Sequence, residues 1–294
     1  MKIYICSLIS KKNFRFLSSH LKSINSLIVP SNLKLKIIFI INPKIYIARN
    51  LINNLLDKVD YFILESKKDD IPSSRNVFLK FIQNKNIQYA GFLDDDCIID
   101  KNWLFNMIKF INRNNCDIIG GPQKHKVKNK IFQSYFDALE PNRQHGKRVK
   151  WVATNNCLFS KKIFKDSKIF FETKLANYGG SDQLFFNELS KKNFVIKWNA
   201  KSFITENYNL ERENKFWFFR RNLRYGYSGN LIDKKIFSKI GFVIILVKII
   251  YLIITSLFLI IIPMRRCQIK ASFYLLRALG RLIGLFNYKP KKYI

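Results

Sequence analysis

The chain has 294 residues, 48% of them hydrophobic, and its 52 lysines and arginines against 20 acidic residues give a formal net charge of +32. This length and apolar content support one large domain with an appendage and exclude a disordered tail. The cations are spread along the chain without a zinc-finger or RNA-recognition signature, so we expect an anionic membrane surface as partner and no nucleic acid. The five cysteines are never spaced as Cys-x-x-Cys, which favours reduced thiols in a cytosolic compartment.

Apolar runs typical of strands alternate with helical patterns over the first hundred residues. We predict helices near 13–28, 45–57 and 74–86, and strands at KIYICSLI, KLKIIFII, DYFILES and IQYAGFLDD. The first of these runs is too short for a signal peptide. The alternation predicts an α/β fold whose mostly parallel sheet is flanked by helices, a class that binds ligands beyond the carboxyl ends of its strands.

Three adjacent carboxylates follow the fourth of these strands, in FLDDDCIID (residues 92–100). In an extended chain Asp94 and Asp96 point the same way and Asp95 points oppositely, so two carboxylates converge at the strand end. Hard oxygen ligands without neighbouring histidine suit Mn2+ or Mg2+, ions that keep open positions for phosphate oxygens. The spacing therefore predicts a metal site at Asp94 and Asp96 that holds a diphosphate.

The composition changes near residue 235. The run from Ile240 to Ile262 is apolar except for Lys248 and long enough to cross a bilayer, for which about 20 residues suffice. A buried core helix is the alternative. Lys248 lies nearer one end, from which it can snorkel. Lysines before the run and arginines after it leave its orientation open between one crossing and a helix in the membrane plane.

A second C-terminal segment, residues 268–286, has an amphipathic helical pattern. Leucines from Leu275 to Leu282 share one face, while Lys270, Arg277 and Arg281 share the opposite one. This pattern predicts a basic helix in the headgroup plane, with an ordinary helix packed on the globular domain as the alternative. We therefore predict a catalytic domain over residues 1–235 and membrane-associated helices over 236–294.

The motifs, in their order along the chain, resemble the inverting family 2 glycosyltransferases of the GT-A fold. FLDDDCIIDKNWL resembles their Asp-x-Asp segment, IPSSRNVFLKF their Ala-Arg-Asn segment and VATNNCLFSKKIF their Thr-Gly-Asn-x-Leu strand. YGGSDQLFFNEL is similar to their Gly-Gly-Glu-Asp helix start, and RENKFWFFRRNLRYG to the helix with arginine and tryptophan beyond it. The tail RALGRLIGLFNYKPKKY resembles the bacterial succinoglycan-type exopolysaccharide glucosyltransferases.

The resemblance implies roles for individual residues. Asp94 would lie near the nucleotide ribose, Asp96 would bind the metal, and Asp182 would be the general base that removes the acceptor hydroxyl proton. Without the resemblance, a helix cap is the better interpretation of Asp182. Further donor-binding residues would be Arg75, Asn76, Asp95, Arg212 and Arg221, and acceptor-binding residues would be Asn156, Gly180 and Glu206.

Two departures from the family pattern concern the site. Ser181 replaces the usual glutamate before the base, and Ile41 and Asn42 replace an aspartate that reads the nucleotide base. Neither removes the metal pair or Asp182.

The resemblance implies a metal-dependent hexosyltransferase at the cytosolic face of the cytoplasmic membrane. It would transfer a sugar from a nucleotide-diphosphate donor to a lipid-linked or nascent glycan in the synthesis of a bacterial surface polysaccharide. A membrane-surface or nucleic-acid binding protein on a degenerate transferase fold is the alternative. A metal-dependent phosphotransferase or nuclease using the same aspartates is a third candidate.

Overall fold

The structure, a computed structural model, describes residues 1–43, 45–166, 168–207 and 210–286. These residues form two compact units. The first comprises Met1–Lys124, Arg143–Thr173 and Phe185–Asn207, and the second comprises His125–Asn142, Lys174–Leu184 and the residues from 210 onward. The boundary expected at residue 235 falls inside one helix of the second unit, and the end of the expected membrane segment, residues 287–294, lies outside the described residues.

The helices and strands follow the predicted alternation. The first part of the chain contains β1 (Lys2–Ile9), α1 (Phe14–Asn25), β2 (Lys34–Ile41), α2 (Tyr46–Leu55), β3 (Asp60–Glu65), α3 (Ile71–Gln83), β4 (Tyr89–Asp94), β5 (Cys97–Ile99) and α4 (Trp103–Arg113). It continues with β6 (Ile118–Gly120), β7 (Gln123–Lys126), α5 (Lys130–Leu139), β8 (Asn156–Ser160), α6 (Lys161–Asp166), α7 (Ser181–Lys191), β9 (Ile196–Trp198), β10 (Ile204–Asn207), α8 (Lys215–Phe237), α9 (Gly241–Ile261) and α10 (Arg265–Leu285).

A seven-stranded sheet organises the first unit, in the order β3-β2-β1-β4-β8-β6-β9. The pairs from β3 to β4 are parallel, as are β6 and β9, whereas β8 runs antiparallel to both of its neighbours. The predicted mostly parallel sheet is thus confirmed. Because β1 and β4 are parallel neighbours, the chain segments that follow both strands leave the sheet at the same edge.

Helices cover both faces of this sheet, which explains its continuous apolar strands. Residues 37–41 of β2 are all buried. One core cluster joins the sheet to α1, α2 and α4 and includes Leu17, Ile52 and Met107. The other joins it to α3, α6 and α7 and includes Phe78 and Phe185.

The aspartate triplet lies between two sheets. Asp94 is the last residue of β4, Asp95 and Asp96 form a turn, and Cys97 begins β5. A three-stranded sheet, in the order β5-β10-β7, continues from this turn, and Glu206 of antiparallel β10 pairs with Cys97. The turn therefore redirects the chain from the large sheet into the small one.

The second unit is helical and is held together by aromatic packing and close backbone contacts. Phe136 of α5, Phe218 of α8 and Phe273 of α10 form its central cluster. A Cβ on Gly280 of α10 would lie 1.9 Å from the carbonyl oxygen of Leu223, so α8 and α10 approach with backbones nearly touching. Only glycine permits this approach.

Two of the basic side chains on the amphipathic segment of α10, Arg277 and Arg281, do not face outward. Arg277 Nε donates to Asn222 Oδ1 of α8 at 2.8 Å, and Arg281 Nη1 donates to Asp233 Oδ2 of α8 at 2.8 Å. Burial lowers the pKa of the Arg277 guanidinium from its ordinary value. For Arg277 and Arg281 the prediction of an outward basic face is therefore wrong, because polar groups of α8 offer these cations fixed partners inside the unit, as the alternative of a packed helix expects.

The apolar run forms α9, and the described residues contain one helical stretch, Lys215–Ile261, with a segment long and apolar enough to cross a membrane. Only 17% of that segment is buried, which a core helix would not show. The charge of Lys248 is paired within the helical unit, because its Nζ lies 2.6 Å from Asp233 Oδ1 of α8.

Candidate active site

The carboxylates of the aspartate turn have different environments. Asp94 is partly exposed, with 33% of its side chain accessible, whereas Asp95 and Asp96 are buried. The backbone of Asp96 is fixed by its carbonyl oxygen, which accepts a 2.8 Å hydrogen bond from Asn207 N at the end of β10. The strand end therefore presents one accessible and one buried carboxylate from residues two apart.

Arg75 of α3 lies beside the first of these carboxylates. Its Nη2 is 3.4 Å from Asp94 Oδ1, and its guanidinium stacks on Phe171 and Phe92 at 5.5 and 6.0 Å from the ring centroids. Arg75 is 6% exposed, and its buried Nε has no hydrogen-bond partner among the described residues. Since a buried guanidinium donor without a partner is costly, this group has spare capacity for an anionic ligand.

Asp95 is bound by the chain itself. Its Oδ2 accepts from Ser10 N at 2.6 Å and its Oδ1 from Asn13 Nδ2 at 2.7 Å. Burial raises the pKa of Asp95 to about 7, against these hydrogen bonds, which lower it. We predicted a donor contact here, but the two bonds are better explained by a positioning role that ties the turn to the end of β1.

Glu206 joins the carboxylates of the turn. Burial raises the pKa of the Cys97 thiol well above its usual range, and the charges of Asp96, Glu206 and Asp94 raise it further. Three carboxylates thus act on one thiol, which donates to Asp96 Oδ1 at a Sγ–O distance of 3.6 Å. The structure brings Glu206 to the turn, as its register opposite Cys97 requires.

The chemistry of these groups fits a hard divalent cation. The turn and β10 offer the carboxylate oxygens of Asp94, Asp96 and Glu206, and such oxygens suit Mn2+ or Mg2+. Among the described residues, no group of three or more His, Cys, Asp or Glu side chains has the arrangement of a metal site. Asp94 and Asp96 would therefore supply part of a coordination shell, which phosphate oxygens and water would complete.

Two asparagines predicted to bind substrate have structural partners. Asn76 Oδ1 accepts from Phe171 N at 2.7 Å and its Nδ2 donates to Phe171 O at 2.9 Å, which fixes the ring that stacks on Arg75. The fully buried Asn156 accepts from Trp103 Nε1 at 2.7 Å and donates to two backbone carbonyls, those of Pro122 and Ser202. Its side-chain donors and acceptor are engaged, so the structure does not support the expected acceptor contact.

The second unit carries the predicted base. Gly179 and Gly180 have φ values of +77° and +85°, a left-handed backbone that favours glycine, and α7 begins directly after them. Asp182 lies in the first turn of α7, and its Oδ1 accepts from Gln183 N at 2.8 Å. The role of Asp182 as the base stays a prediction.

The two other predicted donor-binding arginines also lie in the second unit. Arg212 ends a short 3-10 helix, and Arg221 is on α8. The Arg221 guanidinium stacks on Trp217 at 4.7 Å and on Tyr225 at 5.2 Å from the ring centroids. Trp217 therefore supports an arginine, in addition to its packing against Phe136 and Phe218.

His20 of α1 helps to position the aspartate turn. His20 is fully buried, its Nε2 lies 2.9 Å from Ser7 Oγ, and its Nδ1 lies 2.7 Å from the carbonyl oxygen of Cys97. Burial lowers the pKa of His20 to about 4, so the ring is neutral and Nδ1–H donates to the carbonyl. A histidine on the apolar face of a predicted helix was the available signal.

Comparison with known proteins identifies the class of this site. The profile of the family described as Glycosyl transferase family 2 matches residues 17–169, which include the aspartate turn. No curated protein matches the chain. The chain does match solved structures of glycosyltransferases.

The mannosyltransferase PcManGT from Pyrobaculum calidifontis, in complex with GDP-Man and Mn2+, matches with a TM-score of 0.66 and 9% identity, over 98% of this chain and 88% of that one. Residues 1–349 of S. aureus TarS, in complex with UDP-GlcNAc, match with a TM-score of 0.57 and 12% identity, over 98% and 92%. A longer TarS chain matches at 0.54 and 17% identity, over 81% of this chain but only 40% of TarS. These matches confirm a GT-A-like fold and, at such identities, nothing finer.

Proposed function

Because the chain belongs to glycosyl transferase family 2, we propose that it is an inverting, metal-dependent hexosyltransferase that uses a nucleotide-diphosphate sugar. The observation that carries this proposal is the aspartate turn at the carboxyl end of β4, where Asp94 lies beside the buried Arg75, and the charges of Asp94, Asp96 and Glu206 all act on the Cys97 thiol. Complexes of PcManGT with GDP-Man and of TarS with UDP-GlcNAc support a nucleotide-sugar donor. They do not decide its base or sugar.

On the side of the nucleotide sugar, residues of this chain would bind the metal and the negatively charged diphosphate. Asp94 and Asp96 would hold Mn2+ or Mg2+, which would act as a Lewis acid toward the leaving diphosphate. Arg75, whose buried Nε has no hydrogen-bond partner among the described residues, would donate a hydrogen bond to the nucleotide sugar. Arg212 and Arg221 are further candidates for binding its diphosphate. Asp95 and His20 would hold the turn in position without touching the donor.

On the acceptor side, Asp182 would remove the proton from the attacking hydroxyl group. That oxygen would then attack the anomeric carbon from the face opposite the diphosphate, so the configuration inverts and the nucleoside diphosphate leaves. Asp182 follows Gly179 and Gly180 in the first turn of α7, as in the Gly-Gly-Glu-Asp helix start that this segment resembles. Gly180 and Glu206 remain candidates for acceptor contacts.

We also propose that the protein works at the cytosolic face of the cytoplasmic membrane on a lipid-linked or nascent glycan of a surface polysaccharide. The exposed apolar helix α9 supports attachment to a membrane, and the resemblance to succinoglycan-type transferases supports this class of acceptor. Tethering the catalyst beside a lipid-linked acceptor raises the effective concentration of that acceptor.

The test is release of nucleoside diphosphate by membranes that contain the full chain, from a panel of nucleotide sugars with Mn2+, Mg2+ or chelator and with native lipid extract as acceptor. We expect turnover of one donor that chelator abolishes. Asp182→Asn should lower kcat by about 100-fold to 10,000-fold while donor binding persists, because only proton transfer is lost.

Asp117→Asn is the matched control, since the Asp117 carboxylate accepts from Val195 N at 2.9 Å and is not among the predicted site residues. Full turnover in Asp182→Asn would exclude this residue as the base. No turnover of any donor would contradict the transferase proposal and favour a binding protein on a degenerate fold.

A further inference from the structure

One face of α9 exposes apolar side chains along the whole helix. These residues are 37% to 78% exposed, and we call them the α9 face. They are Phe242, Val243, Leu246, Val247, Ile250, Tyr251, Ile254, Leu257, Phe258, Ile260 and Ile261. An exposed apolar patch this continuous marks an interaction surface.

The opposite face of α9 is fixed against the helical unit. Ile245 and Ile249 are buried in a cluster with Ala278 of α10. Ser256, also buried, donates from its hydroxyl group to Ala271 O of α10 at 2.8 Å. The helix therefore has one packed face and one bare face, the arrangement of an amphipathic helix at the edge of a unit.

An ion cluster sets the rotation of α9 about its axis. Lys248 Nζ lies 2.6 Å from Asp233 Oδ1, and Arg281 Nη1 lies 2.8 Å from Asp233 Oδ2, with Asp233 only 3% exposed. The charge inside the apolar run is therefore turned toward α8 and α10 and paired with Asp233 there. Rotating α9 to bury its bare face would break this pair and leave Asp233 short of a partner.

The charges around α9 are the same at both of its ends. Lys235 and Lys239 are exposed before the helix, and Arg265 and Arg266 are exposed after it. Residues 234–294 contain no acidic residue. A helix crossing the bilayer would have to carry one of these cationic groups to the opposite side, whereas a helix in the membrane plane places both in the headgroups of one anionic leaflet.

We propose that α9 lies in the plane of the membrane, with the α9 face inserted into one leaflet of an anionic bilayer and both of its ends on one side. This rests on the membrane attachment proposed above. The proposal also chooses between the two orientations that the sequence leaves open, a helix that crosses the membrane and a helix that lies in its plane. The protein is then a monotopic enzyme, because α9 inserts into one leaflet and does not cross the bilayer.

The side on which the far end of α9 lies tests the orientation directly. Met264 lies between α9 and α10 and is 59% exposed. The triple variant Met264→Cys, Cys116→Ser, Cys267→Ser would have one accessible thiol, at position 264, because the three remaining natural cysteines are buried. In inside-out vesicles an impermeant maleimide should label this thiol and also that of a matched Ser238→Cys variant. Labelling of the Ser238→Cys variant, with the Met264→Cys variant protected until detergent is added, would overturn the in-plane orientation while leaving attachment intact.

Binding to vesicles tests attachment itself. The purified full chain should float with vesicles containing anionic phosphatidylglycerol and bind neutral vesicles less. Ile250→Lys with Ile254→Lys should lower the ratio of bound to free protein by about ten-fold or more, since two charges enter the apolar layer. Phe105→Lys, at an exposed apolar residue of the first unit, should leave it unchanged.

A second copy of this chain is the other occupant that the α9 face would accept. A concentration-dependent dimer without lipid, lost in Ile250→Lys with Ile254→Lys and accompanied by no flotation, would overturn the proposal. In that outcome nucleoside diphosphate release from the donor panel would still occur, so the failure of the membrane surface and the failure of the transferase are distinguishable.

Discussion

The guanidinium of Arg75 lies 3.4 Å from the carboxylate of Asp94, with 7% of the arginine side chain and 33% of the aspartate side chain accessible. The pair joins α3 to the end of β4 in a place where water only partly screens it. Arg75→Met should lower the free energy of unfolding by about 1 to 3 kcal/mol, because Asp94 loses a largely buried partner. Urea unfolding at neutral pH measures this loss.

Arg49→Met is the control for that measurement. Arg49 also makes an ion pair, with Glu65, but both side chains are exposed by a third or more, so the loss should stay below about 1 kcal/mol. Equal losses in the two variants would show that the burial of Arg75 contributes nothing. Arg75→Lys retains the charge without the planar group and should recover only part of the stability.

His20 predicts a pH dependence of stability. Its pKa is about 4 in the folded state, below the 6.5 of an exposed imidazole, so its contribution is present above pH 6.5 and is lost as pH falls toward 4. His20→Gln should remove this slope. The readout is the difference between wild type and variant, because Asp95, whose pKa is raised to about 7, contributes a slope of opposite sign.

Urea midpoints at pH 7.0, 5.5 and 4.5 measure that difference. Parallel profiles for wild type and His20→Gln would contradict the neutral, buried histidine.

Asn156 separates a structural from a catalytic role. Asn156→Ala leaves Trp103 Nε1 and two carbonyl groups without their buried partner, so it should cost about 2 to 4 kcal/mol of stability. Nucleoside diphosphate release per folded molecule should be nearly unchanged. A loss of acceptor affinity with normal stability would instead restore the acceptor contact that the sequence pattern predicts.

The contact between α8 and α10 predicts a severe effect of one methyl group. Gly280→Ala places a Cβ 1.9 Å from Leu223 O. The atoms it meets, on Leu223 and Gly226, are backbone atoms that cannot rotate away, so the two helices must separate. We expect the free energy of unfolding to fall by about 2 kcal/mol or more, which circular dichroism would show as a lower thermal midpoint. Ser272→Ala, at an exposed position of α10, should leave the midpoint nearly unchanged.

Local pattern predicted the strands and the position of the aspartates, because a continuous apolar run such as residues 37–41 is typical of a strand buried on both faces. It did not predict the saturation of Asn156, whose partners are 34 to 53 residues away. Nor did the amphipathic pattern of α10 reveal which face is buried. Arg281 faces inward because Asp233 of α8 pairs with it, a fact that belongs to tertiary packing.

The central claim is that Asp96 and the metal together bind the donor diphosphate, and equilibrium binding of UDP and GDP to the purified chain tests it most directly. One nucleotide should bind with Mn2+ and lose most of its affinity with chelator or in Asp96→Asn. Asp100→Asn, four residues further along, should bind like wild type, because its carboxylate accepts from Asn102 N in the loop before α4. Binding that is indifferent to Mn2+ and unchanged in Asp96→Asn would contradict the account.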